Sequence, residues 1–321
     1  MSLPGDIDAG SLLEYLKTNS LTGIYYKLDP FKAESSVKET VRNIAAGNLA
    51  KIYFRDRLIS EADSAGIIIR PVKGAAFLEN LYEDISLRPM CDIDFIFPLE
   101  KKKELEKLLF SLGHKRNRLT PFEADSYYHL SYSNGFLKSE YHHSLTGFHT
   151  RVIHNNFGVF KKTEDVKHFR EEDHFIYLLI HFASPHNFQS LISLCDLFLF
   201  RKKFRDKIDW ASVMEKAYRF NALFELSIFN RFCLFCGLPE LMLGNDTGGF
   251  FTSAFFSRIE KRGTASRTFL QIMRSGRPVF LIKRLLWPDP AEMEHIFGKK
   301  RNIFSGLKHI LRLLRKSSGK N

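Results

Sequence analysis

The spacing of apolar and polar residues divides the chain into one strand-rich stretch between two helix-rich stretches. Over residues 36–65 apolar side chains recur at helical spacing, which predicts one or two amphipathic helices. Short β-branched and aromatic runs bounded by Gly, Pro and Asn follow as far as residue 142 and predict strands. The helical period returns at about residue 171. The pattern predicts an α+β protein, with a loosely held start over residues 1–36, where no period is sustained.

The same pattern assigns a range to each element. Strands are predicted over residues 67–72, 91–97, 127–132 and 136–142. The last two are joined at Ser133-Asn134-Gly135, an Asn-Gly hairpin signal. Helices are predicted over residues 73–82, 99–112, 173–183, 189–204, 210–220, 222–236, 250–259, 270–287 and 303–316. We expect three parts: an N-terminal helical segment (1–65), a core containing the strands (66–165) and a larger C-terminal helical domain with a basic tail (166–321).

A compact group of candidate functional residues lies around the second predicted strand. Asp92 and Asp94 are two positions apart, so both side chains are expected on one face of the strand. Two carboxylates placed in this way can bind one or two hard divalent cations. Gly74 opens the preceding strand-to-helix turn, where backbone N–H groups can approach a phosphate closely. The stretch therefore predicts a site for metal ions and phosphate.

The string VKGAAFLENLYEDISLRPMCDIDFIF, which contains these residues, resembles the signature of the uncharacterised nucleotidyltransferase family of the DNA polymerase β-like superfamily. The resemblance fixes residue types over about twenty positions in a strand–turn–helix–strand context. The matching positions are Lys73, Gly74, Ala75, Ala76, Tyr82, Leu87, Arg88, Pro89, Met90, Asp92, Ile93 and Asp94. Weaker similarity extends from about Lys38 to about Phe297. The resemblance implies a small mixed β-sheet with a palm-like nucleotidyltransferase core.

The resemblance also implies an activity, which is transfer of NMP from an NTP to an acceptor by a metal-dependent in-line mechanism. Asp92 and Asp94 would be catalytic metal ligands, and Glu140, on a neighbouring predicted strand, would be the third ligand or the general base. Two Mg²⁺ ions are expected, with Mn²⁺ as an alternative. The acceptor is left open among a small molecule, a sugar, a protein side chain and an RNA end. Nucleotide and phosphate contacts are expected from Lys73, Gly74, Ala75 and Arg88.

Several alternatives remain open at this point. Cys91 stands where the family usually has Gly, and Ala75 stands where the wider superfamily often has Ser. These departures motivate a second hypothesis, a non-catalytic nucleotide- or RNA-binding protein that retains the fold. For Lys73 and Arg88 the alternative is a structural ion pair with nearby acids, and Arg88 could also support the Asp pair from behind. For Glu140 the alternative is an exposed acid on a strand.

Four histidines and one buried acid offer further candidates for metal binding or for a buried ion pair. The histidines at positions 142, 143, 149 and 154 are irregularly spaced and have no Cys nearby, which argues against a zinc site formed by these four. Asp196 lies in a predicted apolar helix, so it needs a buried partner. The sequence does not identify that partner.

Positive charge is concentrated near the C-terminus. The whole chain has a net charge of +12, and residues 258–321 contain 16 Lys and Arg against 4 Asp and Glu, which equals that excess. The predicted helix over residues 303–316 is interpreted either as a docked helix with a solvated basic face or as a contact for an anionic surface or phosphate-bearing partner.

The chain shows no sign of a membrane span or of a disulfide framework. No apolar run reaches the ~18–20 residues that a membrane helix requires, and no charged-then-apolar leader is present. Four cysteines without a framework pattern fit a reducing compartment. We therefore expect a cytoplasmic protein without a transmembrane segment.

Overall fold

The computed structural model describes residues 9–28, 30, 34–117, 129–135, 137–145, 154–183, 188 and 190–238. In this part of the chain a five-stranded mixed β-sheet is surrounded by α-helices, which confirms the predicted α+β class. The helices predicted over residues 250–259, 270–287 and 303–316, and with them the basic tail, lie outside the described residues. No helix in the ranges given above is both long enough and apolar enough to cross a membrane.

Three helices form the N-terminal part, α1 (Ala9–Thr18), α2 (Thr22–Leu28) and α3 (Ser35–Ser64). The period over residues 36–65 is confirmed as the single helix α3. The prediction of a loosely held start over residues 1–36 is wrong for the residues that form α1 and α2. These helices are too short to show a clear period, and helices of this length depend on tertiary packing. That packing is provided by Leu13, Tyr25 and Tyr26, which contact the cluster of Val37 and Val41 on α3.

The sheet has the strand order β1-β2-β5-β4-β3. Its strands are β1 (Arg70–Val72), β2 (Ile93–Ile96), β3 (Lys115–Arg116), β4 (His129–Ser133) and β5 (Lys138–His142). β2 and β5 run parallel, whereas the other neighbouring pairs are antiparallel. The four predicted strands are confirmed, each within three residues of its predicted bounds. β3 was not predicted because two residues cannot show an alternating pattern.

The remaining helices lie between the strands or follow the last strand, and those after residue 166 form the C-terminal part. They are α4 (Gly74–Leu81), α5 (Lys102–Ser111), α6 (Thr163–Lys167), α7 (Glu171–Ala183), α8 (Leu191–Phe204), α9 (Trp210–Arg219) and α10 (Leu223–Phe235). All but α6 were predicted, and a 3₁₀ turn (Leu99–Lys101) precedes α5. Side chains cap the N-termini of two of these helices. The Ser190 side chain accepts from the Ser193 amide at the start of α8, and the Asp209 side chain accepts from the Ala211 and Ser212 amides at the start of α9.

The interior strand β2 is buried on both faces, which determines where the candidate carboxylates lie. Ile93 and Phe95 face the core that the sheet forms with α3 and α5. Ile96 faces the opposite core, which includes α4 and the helices α7 to α10. Since side chains alternate along a strand, Asp94 lies on the same side as Ile96. A carboxylate is thus held in the middle of a buried strand, on the side of the C-terminal helices.

Asn48 on α3 anchors the segment that leads into β2. Its side-chain Nδ2 donates to the carbonyl oxygens of Ile85 (2.6 Å) and Arg88 (2.8 Å). Its Oδ1 accepts from the Met90 amide at 3.2 Å. The backbone that ends just before Asp92 is therefore fixed to α3 by a buried amide.

Replacing Asn48 by Ala is expected to lower the free energy of unfolding by about 3 kcal/mol, because each buried group left without a partner costs about 1–3 kcal/mol. Urea unfolding measures this difference. Asn43→Ala, at an exposed position of the same helix, is the matched control and should change stability by less than about 0.5 kcal/mol. Equal losses in the two variants would contradict the anchoring role.

Candidate active site

Most of the residues predicted for the site line one cleft of about 640 Å³. Its walls come from the α1–α2 turn, the start of α4, the segment before β2 and the beginning of α8. The predicted residues in its lining are Lys73, Gly74, Arg88, Asp92 and Asp94. The residues that sequence reasoning did not assign include Thr18, Asn19, Ser20, Ser190 and Ser193. The cleft thus joins parts of the chain that are far apart in sequence.

The third predicted acid lies beside the Asp pair. Asp94 on β2 is the register partner of Glu140 on the parallel strand β5, which places the two carboxylates on one face of the sheet. Asp92 lies just before β2, and the Lys138 ammonium connects it with Glu140. Lys138 Nζ is 3.7 Å from Asp92 Oδ2 and 2.5 Å from Glu140 Oε1. The three acids therefore form one group, although Glu140 itself does not line the cleft.

The pKa values of the three acids reflect this proximity. Burial raises the pKa of Asp92, and the negative charges of Asp94 and Glu140 raise it further. Burial alone would raise the pKa of Asp94 as well, but Lys73 and His142 hold that pKa well below its usual range. For Glu140, His129 and Lys138 overcome the effect of burial and lower the pKa. Asp94 and Glu140 are therefore ionised at neutral pH, and their charges act on Asp92.

Lys73 occupies a strained turn between β1 and α4. Its backbone has φ 53° and ψ −134°, a region that favours glycine and costs other residues about 1–3 kcal/mol. From this position its Nζ donates to Asp94 Oδ1 at 2.9 Å. Burial would lower the pKa of Lys73, yet the Asp94 carboxylate raises it above its usual value. The strained residue is therefore the one whose ammonium group lies against the Asp94 carboxylate.

Arg88 lies in the cleft wall, but its ion pair is with Asp196 on α8. Its Nε and Nη2 donate to the two carboxylate oxygens at 2.8 and 2.7 Å. The Tyr82 hydroxyl donates to the same carboxylate at 2.6 Å. Arg88 and Asp196 are both largely buried. The partner that Asp196 required is thus Arg88, and the alternative in which Arg88 pairs with the neighbouring Asp pair is not observed.

The turn residues Gly74 and Ala75 have different surroundings. A Cβ at position 74 would collide with the Arg88 guanidinium, so the glycine is required for the packing of this arginine. The Ala75 side chain is buried in the core on the other side of the sheet, and its carbonyl oxygen accepts from Arg55 at 2.8 Å. Any phosphate contact at position 75 would therefore involve the backbone N–H group. The phosphate roles of both residues stay predictions.

Two histidines adjoin the acids. His142 Nε2 is 2.9 Å from Asp94 Oδ1. His129 on β4 is the register partner of His142, and its Nε2 is 3.6 Å from Glu140 Oε2. The pKa of His129 is lowered to about 4, mainly by burial and to a smaller extent by the neighbouring His142. Sequence reasoning did not assign His129 to the site, because only the register of the β4–β5 hairpin brings it there.

The fold and the cleft define a class of protein: an α+β protein that holds carboxylates on adjacent strands next to a Lys-Gly turn. The chain belongs to the uncharacterised nucleotidyltransferase family, whose model matches residues 7–233. This confirms the resemblance and corrects its extent, which begins earlier than residue 38 and ends before residue 297. No curated protein and no solved structure shows significant similarity to the chain.

Proposed function

We propose that this protein transfers a nucleoside monophosphate from an NTP to an acceptor molecule. The observation that supports this most directly is the group of Asp92, Asp94 and Glu140 beside the Lys73-Gly74 turn, in a chain that belongs to a nucleotidyltransferase family. The cleft volume lies within the range of about 300–1,000 Å³ that is usual for small-molecule sites. The acceptor is a small molecule, a sugar, a protein side chain or an RNA end.

The acidic group fits a hard divalent cation. Burial and the negative charges of Asp94 and Glu140 raise the pKa of Asp92, so a cation bound beside it would be stabilised. Within the described part of the chain, both polar contacts of Asp94 reach Oδ1 and none reaches Oδ2. We assign Mg²⁺ to Asp92, Asp94 and Glu140, with two ions and with Mn²⁺ as a substitute. When bound, Mg²⁺ would neutralise phosphate charge and lower the pKa of the attacking hydroxyl.

The other residues of the cleft would position the triphosphate. Lys73 lines the cleft and contacts Asp94, so its ammonium can neutralise a phosphate while staying close to the acidic group. Gly74 begins α4, and the partial positive charge of a helix N-terminus favours an anion. Arg88 holds α8 against this wall through Asp196, and Ser190 and Ser193 at the start of α8 form the opposite side.

The experiment that tests this function measures NTP consumption with Mg²⁺ across a panel of acceptors. Asp92→Asn/Asp94→Asn should remove activity that the wild type shows. Asp63→Asn, an exposed acid on α3, is the control and should leave activity unchanged. Activity that is undiminished in the double variant would reject the site. Metal-dependent NTP binding without a product from any acceptor would instead support the non-catalytic alternative.

Substitutions of Lys73 should separate backbone strain from charge. Lys73→Gly removes the strained conformation and the ammonium together, whereas Lys73→Met removes the ammonium and keeps the strain of about 1–3 kcal/mol. We expect Lys73→Gly to have a higher free energy of unfolding than Lys73→Met, and both to lose NTP turnover. Thermal unfolding and the NTP assay measure the two effects. Full turnover in either variant would contradict a role of the ammonium at the phosphate.

A further inference from the structure

Two histidines and a glutamate converge on the face of the sheet that carries Asp94. In the β4–β5 hairpin His129 pairs with His142, and Ser131 pairs with Glu140. Because residues two apart on a strand share a face, His129, Glu140 and His142 all lie on one side. One possible ligand atom from each of the three lies within 4.8 Å of the others. The arrangement arises from two adjacent strands, not from a local sequence motif.

The distances between these atoms match the coordination shell of a small dication. His129 Nε2 and His142 Nε2 are 3.6 and 3.7 Å from Glu140 Oε2. For zinc, bonds of about 2.0–2.2 Å at tetrahedral angles separate neighbouring ligand atoms by about 3.3–3.6 Å. Both histidine–glutamate distances are therefore within about 0.1 Å of this range, and the two histidines offer ligand atoms within 4.8 Å of each other.

The scaffold is rigid and largely closed to solvent. The side chains of His129, Glu140 and His142 are 9, 13 and 2% exposed. All three residues are on strands that are paired along their length in the sheet. Ligands held on strands in this way lose little conformational freedom when an ion binds.

We propose that His129, Glu140 and His142 bind one first-row transition-metal dication, such as Zn²⁺ or Co²⁺, in preference to Mg²⁺. Imidazole nitrogen favours transition metals, whereas Mg²⁺ favours sites made of oxygen atoms and water. Three protein ligands leave at least one coordination position open, which is typical of catalytic rather than structural ions. The inference rests on the proposed function and changes it in one respect: the ion at Glu140 would have two imidazole ligands and would be a transition metal, whereas Mg²⁺ stays assigned to Asp92 and Asp94.

Two contacts of the site bear on how the ion would bind. Binding through Nε2 of His142 would replace the 2.9 Å contact of that atom with Asp94 Oδ1, so Asp94 would lie next to the ion. Lys138 contacts Oε1 of Glu140, whereas the histidines face Oε2. The ion and the lysine would therefore use different oxygen atoms of the same carboxylate.

The test titrates the metal-free full chain with Co²⁺ and follows the visible absorption of the bound ion. We expect one Co²⁺ per chain, displaced by one equivalent of Zn²⁺ but retained in about a thousandfold excess of Mg²⁺. X-ray absorption of the Co²⁺ protein should show two imidazole ligands, and this measurement needs no variant. The absence of bound Co²⁺, or a spectrum with oxygen ligands alone, would overturn the proposal.

Matched variants then locate the ion. His129→Gln and Glu140→Gln should each weaken Co²⁺ binding by more than the roughly 10–100-fold that loss of an outer partner causes. His114→Gln changes another buried histidine, which packs against Phe54, and should leave binding unchanged. Unchanged binding in both site variants would overturn the assignment. Binding needs neither NTP nor turnover, so failure of this inference is distinguishable from failure of nucleotidyl transfer.

Discussion

Asp94→Asn is expected to lower the free energy of unfolding by about 3–5 kcal/mol, because it leaves the Lys73 ammonium in a buried position without its counter-charge. The same change removes a carboxylate from the proposed metal site. We therefore expect NTP turnover to fall by about three orders of magnitude, the scale of loss when a preorganised polar group is deleted from an active site. Urea unfolding measures the first effect and the NTP assay measures the second.

A double variant separates the two consequences. In Lys73→Met/Asp94→Leu both charges are replaced by apolar groups, and the stability should return to near the wild-type value. Turnover should stay absent, because the carboxylate is still missing. If the stability lost in the double variant equalled the sum of the losses in Lys73→Met alone and Asp94→Leu alone, the ion pair between Lys73 and Asp94 would be contradicted.

The stability of the wild type should also depend on pH in a direction set by Asp94. Its pKa in the folded protein lies below the ~3.9 of an unfolded Asp. The stabilisation is therefore fully present above this unfolded value and is lost as the pH falls towards the folded pKa. In Asp94→Asn this part of the acid dependence should be missing. Unfolding curves recorded between about pH 3 and pH 7 compare the two proteins.

Asp196→Asn is the second change with a large expected effect. It leaves the Arg88 guanidinium buried without its bidentate partner, which should cost about 3–5 kcal/mol of stability. Tyr82→Phe removes only the hydroxyl that donates to the same carboxylate, and should cost about 1.5–3 kcal/mol. Thermal and urea unfolding should therefore rank the two variants in this order.

The control for this pair is Asp206→Asn, an exposed acid just after α8. It should change stability by less than about 0.5 kcal/mol. Arg88 and Asp196 are 108 positions apart, so their contact joins the segment before β2 to the C-terminal helices. If Asp196→Asn were as stable as the control, that connection would not contribute to the fold.

The acids could be predicted in part because strand alternation is a local property. Asp92 and Asp94, two positions apart next to a strand, were assigned together, and both line the cleft. Glu140 was assigned from its likeness to the family pattern, and it is the register partner of Asp94. The roles of these residues in catalysis stay predictions until activity is measured.

The histidines show why the remainder could not be predicted. His142 was considered with histidines close to it in the sequence, whereas its neighbour across the sheet is His129. The hairpin joins Ser133 to Lys138, so its loop is longer than a two-residue Asn-Gly turn. In a hairpin the loop length and turn type set which residues are opposite each other, so the longer loop gives a register that the Asn-Gly signal did not predict.

The sequence by itself determined the α+β class, the approximate bounds of most helices and strands, and the assignment of Asp92 and Asp94 to one site at the second strand. These features follow from side-chain periodicity and turn chemistry, which act over a few residues. Only the tertiary structure decided that Arg88 pairs with Asp196, that α1 and α2 form, and that His129 joins Glu140. Such contacts depend on strand register and on packing between distant segments, which short-range patterns do not encode.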